Sequence, residues 1–150
     1  MDRAYGGATA ASSRSLIQTL ALIVGAVFLL VGILGFVPGV TTNYGDMQFA
    51  GESSGAELLG VFQVSILHNI VHLLFGVAGF ALARTVSGAR SYLIGGGAVY
   101  LVLWLYGLIV GQDSSANFVP VNPADDWLHL VLGLGMIALG LALSPRSVRR

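Results

Sequence analysis

The sequence predicts an all-α integral membrane protein in which four helices cross the bilayer as a bundle. Of its 150 residues, 55% are hydrophobic and only 9% are charged, whereas a soluble domain carries about a quarter charged residues. Four apolar stretches are long enough to cross the hydrocarbon core as helices, which takes ~20 residues each. The charged residues segregate between the two ends of these stretches. A soluble domain of this size could not bury so much apolar surface.

The four predicted spans are bounded by recognisable helix signals. Pro38 ends the first span and Arg84 ends the second. The pattern Ser-Gly-Ala-Glu at 54–57 indicates a capping box ahead of the second span. Asn122 and Pro123 are a favoured N-cap and first helical residue for the fourth. The predicted domain covers residues 15–143, with spans at 16–37, 58–83, 92–110 and 124–143 and tails at 1–14 and 144–150.

The charge distribution predicts the orientation of the spans. Every arginine falls on one side of the predicted bilayer, and Asp2 is the one acidic residue that joins them. Positive-inside bias therefore predicts a multi-pass plasma-membrane protein with both termini cytoplasmic. The basic residues are Arg3, Arg14, Arg84, Arg90, Arg146, Arg149 and Arg150, and the opposing acids are Asp46, Glu52, Glu57, Asp113, Asp125 and Asp126.

Composition also excludes several functions. The chain contains no cysteine, which excludes disulfides, thiolate metal sites and cysteine nucleophiles. Its formal charge is zero, so the chain lacks the excess of basic residues that is typical of a nucleic-acid-binding protein. The lipid bilayer is the one predicted partner, while self-association and a membrane-protein partner stay open. The long outer loop at 38–55 either folds over the mouth of the bundle or is a flexible polar connector.

The second half of the sequence repeats features of the first, which predicts two similar helical hairpins. A constant shift of 57 positions lays the fourth predicted span on the second. Hairpins that enter from the same side would be related by an axis along the membrane normal. The matches are His72 with His129, Gly76 with Gly133, His68-Asn69 with Asp125-Asp126, and Leu73, Ala81 and Leu82 with Leu130, Ala138 and Leu139.

Polar side chains in the outer half of the second and fourth spans form the candidate site. His68 and His72 are four residues apart and therefore share one helix face. Ionisable groups at this depth normally face the bundle interior and pair with one another. The third span adds Tyr100 and Trp104, one turn apart. The predicted inter-helix cluster is His68, Asn69, His72, Asp125, Asp126 and His129.

Four interpretations of this cluster are open. The default is a non-enzymatic structural or accessory role, in which His–Asp and His–Asn hydrogen bonds hold the helices together. Imidazoles with a carboxylate also suit zinc, iron or copper, with His68, His72, His129, Asp125 and Asp126 as ligands. Haem could be held between His72 and His129, with Gly76 and Gly133 leaving room for the porphyrin. Finally, intramembrane His and Asp residues can form a proton or small-solute pathway.

Three segments resemble one bacterial membrane protein family. They are LGVFQVSILHNIVHLLFG at 59–76, YLVLWLYG at 100–107 and PADDWLH at 123–129. The family is the one named domain of unknown function 4383. This resemblance runs from the first span to the fourth and implies a four-span bundle, but it implies no activity, substrate or cofactor.

Overall fold

The computed structural model describes residues 14–111 and 114–143, and these form four α-helices. They are α1 (Leu16–Leu34), α2 (Ile66–Leu82), α3 (Val86–Ile109) and α4 (Pro123–Ala142). The predicted all-α bundle is confirmed. Most of residues 1–14, all of 144–150 and Asp113 lie outside the described residues, so the predicted tails stay predictions.

The outward faces of the helices are apolar. Residues such as Leu30 in α1, Leu74 in α2, Val102 in α3 and Val131 in α4 are all more than half exposed. A continuous surface of this kind suits lipid and not water. By length and composition α1, α3 and α4 can each cross a membrane, whereas α2 has only 17 residues. The chain is a membrane protein.

Close helix contacts at glycines build two hairpins. A β-carbon on Gly25 of α1 would lie 3.1 Å from the carbonyl oxygen of Gly76 in α2, and one on Gly97 of α3 would lie 2.7 Å from that of Gly133 in α4. Small residues permit such close backbone approach. The two hairpins meet through a buried core towards the end that carries Arg84, formed by residues including Ile17, Ala21, Ala89, Tyr92 and Leu93.

The outer loop folds into a compact cap over the bundle, which we define as residues 35–65. It contains a three-stranded antiparallel sheet of β1 (Thr41–Thr42), β2 (Glu57–Leu58) and β3 (Phe62–Gln63), with β2 in the middle. A short 3₁₀ turn at Tyr44–Asp46 follows β1. The polar outer loop is therefore structured, and its hairpin lies above the helix ends.

The beginning of the second helix differs from the prediction. Helix α2 starts at Ile66 instead of residue 58, because the preceding apolar residues form β2, β3 and their turn. Leu59 and Gly60 both have positive φ, which suits the tight hairpin turn and is incompatible with a helix. The predicted capping box at 54–57 is wrong, since Ser65 caps α2 and its side chain accepts a hydrogen bond from the His68 N–H.

Two further boundaries can be compared with the prediction. Thr85 caps α3, so this helix starts at Val86 instead of residue 92 and includes Arg90. Helix α4 starts at Pro123, one residue before the predicted 124, with Asn122 as its N-cap. The Asn122 side chain accepts from the Asp125 N–H at 3.0 Å, and the Asp125 carboxylate accepts from the Asn122 N–H at 3.0 Å.

Candidate functional site

A cavity of about 110 Å³ lies between the hairpins, directly beneath the cap. Helices α2, α3 and α4 each contribute polar side chains to it, and the cap hairpin contributes its apolar roof. The polar lining is His68, His72, Tyr100, Asp125 and His129, and the apolar lining is Val31, Leu58, Leu59, Phe62, Val64, Leu128 and Leu132. The structure therefore brings together four of the six residues of the predicted cluster.

The imidazoles belong to a continuous set of ring contacts. His68 and His72 stack with centroids 4.6 Å apart and planes 11° apart, as their spacing on one helix face predicts. Phe28 of α1 contacts His72 at 5.7 Å and stacks on Tyr100 at 5.3 Å. Tyr100 in turn meets His129 edge to face at 5.2 Å. These contacts hold the three imidazoles around one space.

Two imidazole nitrogens in this set have no hydrogen-bond partner among the described residues. They are Nδ1 of His68 and Nδ1 of His129, and both atoms are buried. Only 6% of His68 and 3% of His129 is exposed. Buried polar atoms in native proteins nearly always have a partner, so each unpaired one needs a physical explanation.

A hydrogen bond within α2 defines the tautomer of His72. Its Nδ1 lies 3.0 Å from the main-chain carbonyl oxygen of His68. A carbonyl oxygen can only accept, which assigns the hydrogen to Nδ1. In the neutral ring Nε2 is then an acceptor. The Tyr100 hydroxyl, which can donate or accept, makes no hydrogen bond within the described part of the chain.

Asp125 connects α4 to the cap instead of pairing with a histidine. Its Oδ2 accepts from the main-chain N–H of Gln63 in β3 at 3.1 Å as well as from Asn122 at 3.0 Å. The Asn122 side chain also donates to the Val61 carbonyl in the hairpin turn at 2.7 Å. Between the described residues there is no His–Asp hydrogen bond. The predicted His–Asp hydrogen bonds between helices are therefore not formed in this part of the chain.

Asn69 and Asp126 lie outside the cavity. Asn69 packs against Gly35 at the end of α1, and its amide points towards the Met47 sulfur at 3.9 Å. Asp126 packs against Gly107 of α3, where its buried Oδ1 has no partner in the described chain. Adjacent residues on a helix point about 100° apart, so Asp125 and Asp126 cannot both face the same space.

The arrangement does not fit the predicted metal site. The described residues contain no group of three or more His, Cys, Asp or Glu side chains that could hold a metal ion. His68 and His72 are nearly parallel, so their in-plane lone pairs do not converge on one ion as tetrahedral coordination requires. Asp125 already accepts two main-chain hydrogen bonds, and Asp126 faces another helix.

The structure leaves too little space for haem between His72 and His129. The glycines expected to make room for a porphyrin are already packed, since β-carbons on Gly76 and Gly133 would lie 2.5 Å from Leu29 and 2.7 Å from Leu101. The cavity of about 110 Å³ is below the ~300 Å³ at which pockets for larger ligands begin. The residues present do not fit the group.

A ring cluster closes the bundle below the cavity. Phe28, Phe75 and Tyr100 contact one another at centroid distances of 5.2 to 5.6 Å. The buried apolar core continues from there towards the Arg84 end. The ring cluster and this core therefore lie between the cavity and the Arg84 end.

Sequence reasoning missed the roof and the ring contacts of the site. The sequence predicts a helix for the roof residues Leu58 and Phe62, although the glycine between apolar and aromatic residues at 58–64 is typical of a hairpin. Phe28 has no polar atom that would single it out. Tyr100 was noted on its helix, but its contact with His129 depends on how the hairpins pack.

Comparison with known proteins identifies the family. The family described as a domain of unknown function, number 4383, matches residues 18–142. The chain belongs to this family, as the resemblance implied. None of the curated proteins and none of the solved structures matches the chain.

Proposed function

We propose that this member of the family is a plasma-membrane protein that binds a small O–H group in the cavity beneath its cap. One observation carries the proposal: His68 and His129 are each more than nine-tenths buried, line the same cavity, and leave Nδ1 without a partner. An unpaired buried polar atom costs about 1–3 kcal/mol, which a bound hydrogen-bonding group would recover.

The size of the cavity limits what can bind. A water molecule occupies roughly 30 Å³ of liquid, and a dry cavity of about 150 Å³ accepts benzene. The cavity of about 110 Å³ therefore holds a few waters or a polar head group, and the rest of a longer molecule has to lie outside it.

The polar lining favours a hydrogen-bond donor with an acceptor beside it. His72 Nε2 is an acceptor, because its Nδ1 already donates to the His68 carbonyl. The Tyr100 hydroxyl can donate to the same ligand oxygen. Asp125 accepts two main-chain hydrogen bonds and holds the roof in place. A hydroxyl or a protonated carboxyl group meets both requirements.

The proposed topology has four spans with the cap outside the cell. Among the described residues, Arg14, Arg84 and Arg90 lie at one end of the helices, and Asp46, Glu52 and Glu57 lie in the cap at the other end. The 17 residues of α2 rise only ~26 Å, which is shorter than the ~30 Å hydrocarbon core. Its continuation into the apolar hairpin of the cap would make up the difference.

The proposed origin of the site is a duplication of one helical hairpin. The pairs separated by 57 positions include the helix caps Ser65 and Asn122 as well as His72 and His129. A second shift of 72 positions relates α1 to α3 and matches Phe28 with Tyr100. Binding sites of membrane proteins often lie at such repeat interfaces. The same 72-position shift matches Gly25 with Gly97, Leu29 with Leu101 and Gly35 with Gly107.

The proposal can be tested with histidine-labelled protein in lipid nanodiscs, because the chain has only three histidines. The probe is n-butanol, and its control is the isomeric diethyl ether, which lacks the O–H donor. We expect n-butanol to shift the imidazole nitrogen resonances saturably and diethyl ether to leave them unchanged. The variant His72→Phe keeps an aromatic ring and should lose the response of the other two histidines. Equal responses to alcohol and ether would refute the proposal and leave a structural role.

A further inference from the structure

We infer that the ligand is a single-chain amphiphile taken from the bilayer, with a hydroxyl or carboxyl head in the cavity and its tail in the groove between α1 and α4. This inference rests on the proposed function and specifies its ligand. It is carried by the continuity between the cavity that His68, His72 and His129 line and an apolar groove that opens to lipid.

The groove and the cavity share one wall. The groove has a volume of about 240 Å³. Val31, His72, Leu128 and Leu132 line both spaces. The remaining groove residues are Ile23, Val24, Val27 and Phe28. A molecule in the groove therefore reaches His72 without crossing another helix.

The mouth of the groove faces the lipid. Helices α1 and α4 pack against their own hairpin partners and hardly against each other. Ile23 is 53% exposed, Val27 50% and Leu128 38%, although they lie in apolar spans. In a bilayer these side chains contact acyl chains, so a lipid-like molecule can enter sideways.

The direction of the groove matches the orientation of a lipid in the outer leaflet. His72 lies seven residues after the cap residue Ser65, or ~10 Å below the outer end of α2. From Val31 to Ile23 the groove follows α1 for ~12 Å towards the middle of the membrane. The head would thus point outwards and the tail inwards.

The cavity volume selects the head group. A phospholipid head is far larger than the cavity of about 110 Å³, so a phospholipid could place only an acyl chain in the groove. A hydroxyl or carboxyl fits and can donate to His72 Nε2. Because the tail leaves one apolar environment for another, the hydrogen bonds of the head decide the affinity. Removing one of these hydrogen bonds should weaken binding about 2- to 10-fold.

The test uses two photoactivatable probes in nanodiscs, hexadecanol and hexadecanoic acid, each with a diazirine in the tail. We expect ultraviolet light to attach the probe to Val27 or Leu128, and unlabelled compound to compete. The probe that labels more efficiently shows whether the site prefers an alcohol head or an acid head. Labelling spread evenly over lipid-facing residues, or insensitive to competition, would overturn the inference.

Tryptophan variants provide a second test and its matched control. Leu128→Trp fills the shared wall and should reduce competed labelling at least about 10-fold, whereas Leu134→Trp, on the lipid-facing side of the same helix, should leave it unchanged. Val27→Trp blocks the mouth independently if Leu128→Trp fails to fold. If the n-butanol response persists but no competed labelling occurs in wild type, the ligand is water-soluble and only this inference fails. Loss of both responses would refute the proposed function as well.

Discussion

The substitution Gly97→Ala should force α3 and α4 apart. A β-carbon at this position would lie 2.7 Å from the Gly133 carbonyl oxygen and 3.1 Å from the Ile137 main-chain nitrogen. Both atoms belong to the backbone of α4, so no side-chain rotation can relieve the clash. Overpacking of this kind costs about 1–3 kcal/mol. Gly95, two residues earlier, faces open space, since nothing lies within 4 Å of its β-carbon position.

The matched variant Gly95→Ala separates packing from helix propensity. It should be neutral or stabilise the helix by up to about 1 kcal/mol, because alanine restricts the unfolded chain more than glycine. The helix gain applies at both positions, so the two variants should differ by the overpacking cost of about 1–3 kcal/mol, which is about 5- to 150-fold in the unfolding equilibrium. Denaturant unfolding in detergent micelles, followed by circular dichroism, measures this difference. Equal stabilities of the two variants would refute the proposed close packing of α3 on α4.

Two further predictions concern the helix cap and the topology. Asn122→Ala removes the cap of α4 and the hydrogen bond from Asn122 to Val61. This variant should lower the free energy of unfolding by about 1–2 kcal/mol. An unchanged free energy in the same unfolding assay would contradict the capping role. Because the chain has no cysteine, Glu52→Cys and Ser87→Cys can be labelled individually in intact cells. A membrane-impermeant maleimide should modify the first directly and the second only after permeabilisation, and the reverse pattern would overturn the orientation.

The helices were predictable from the sequence because lipid imposes a simple rule on composition and length. The start of α4 was placed well, since Asn122 and Pro123 are local signals that act within one helical turn. The stacking of His68 on His72 was likewise fixed by their spacing on one helix. These features depend on neighbours in sequence.

The errors concern features that depend on distant neighbours. The segment at 58–65 is apolar enough for a helix, but pairing with β1 and the turn at Leu59 and Gly60 make it part of the cap. The sequence predicts that Asp125 pairs with a histidine. In the structure its carboxylate accepts a hydrogen bond from the main-chain N–H of Gln63, 62 residues away. Local periodicity predicts neither the pairing with β1 nor the hydrogen bond from Gln63.

The most direct test of the central claim is the nitrogen NMR spectrum of the three imidazoles before and after n-butanol is added. The account predicts that His72 carries its hydrogen on Nδ1, with Nε2 free to accept, and that its Nε2 resonance moves when the alcohol binds. A spectrum in which His72 Nε2 already carries a hydrogen and does not respond to the alcohol would contradict the claim.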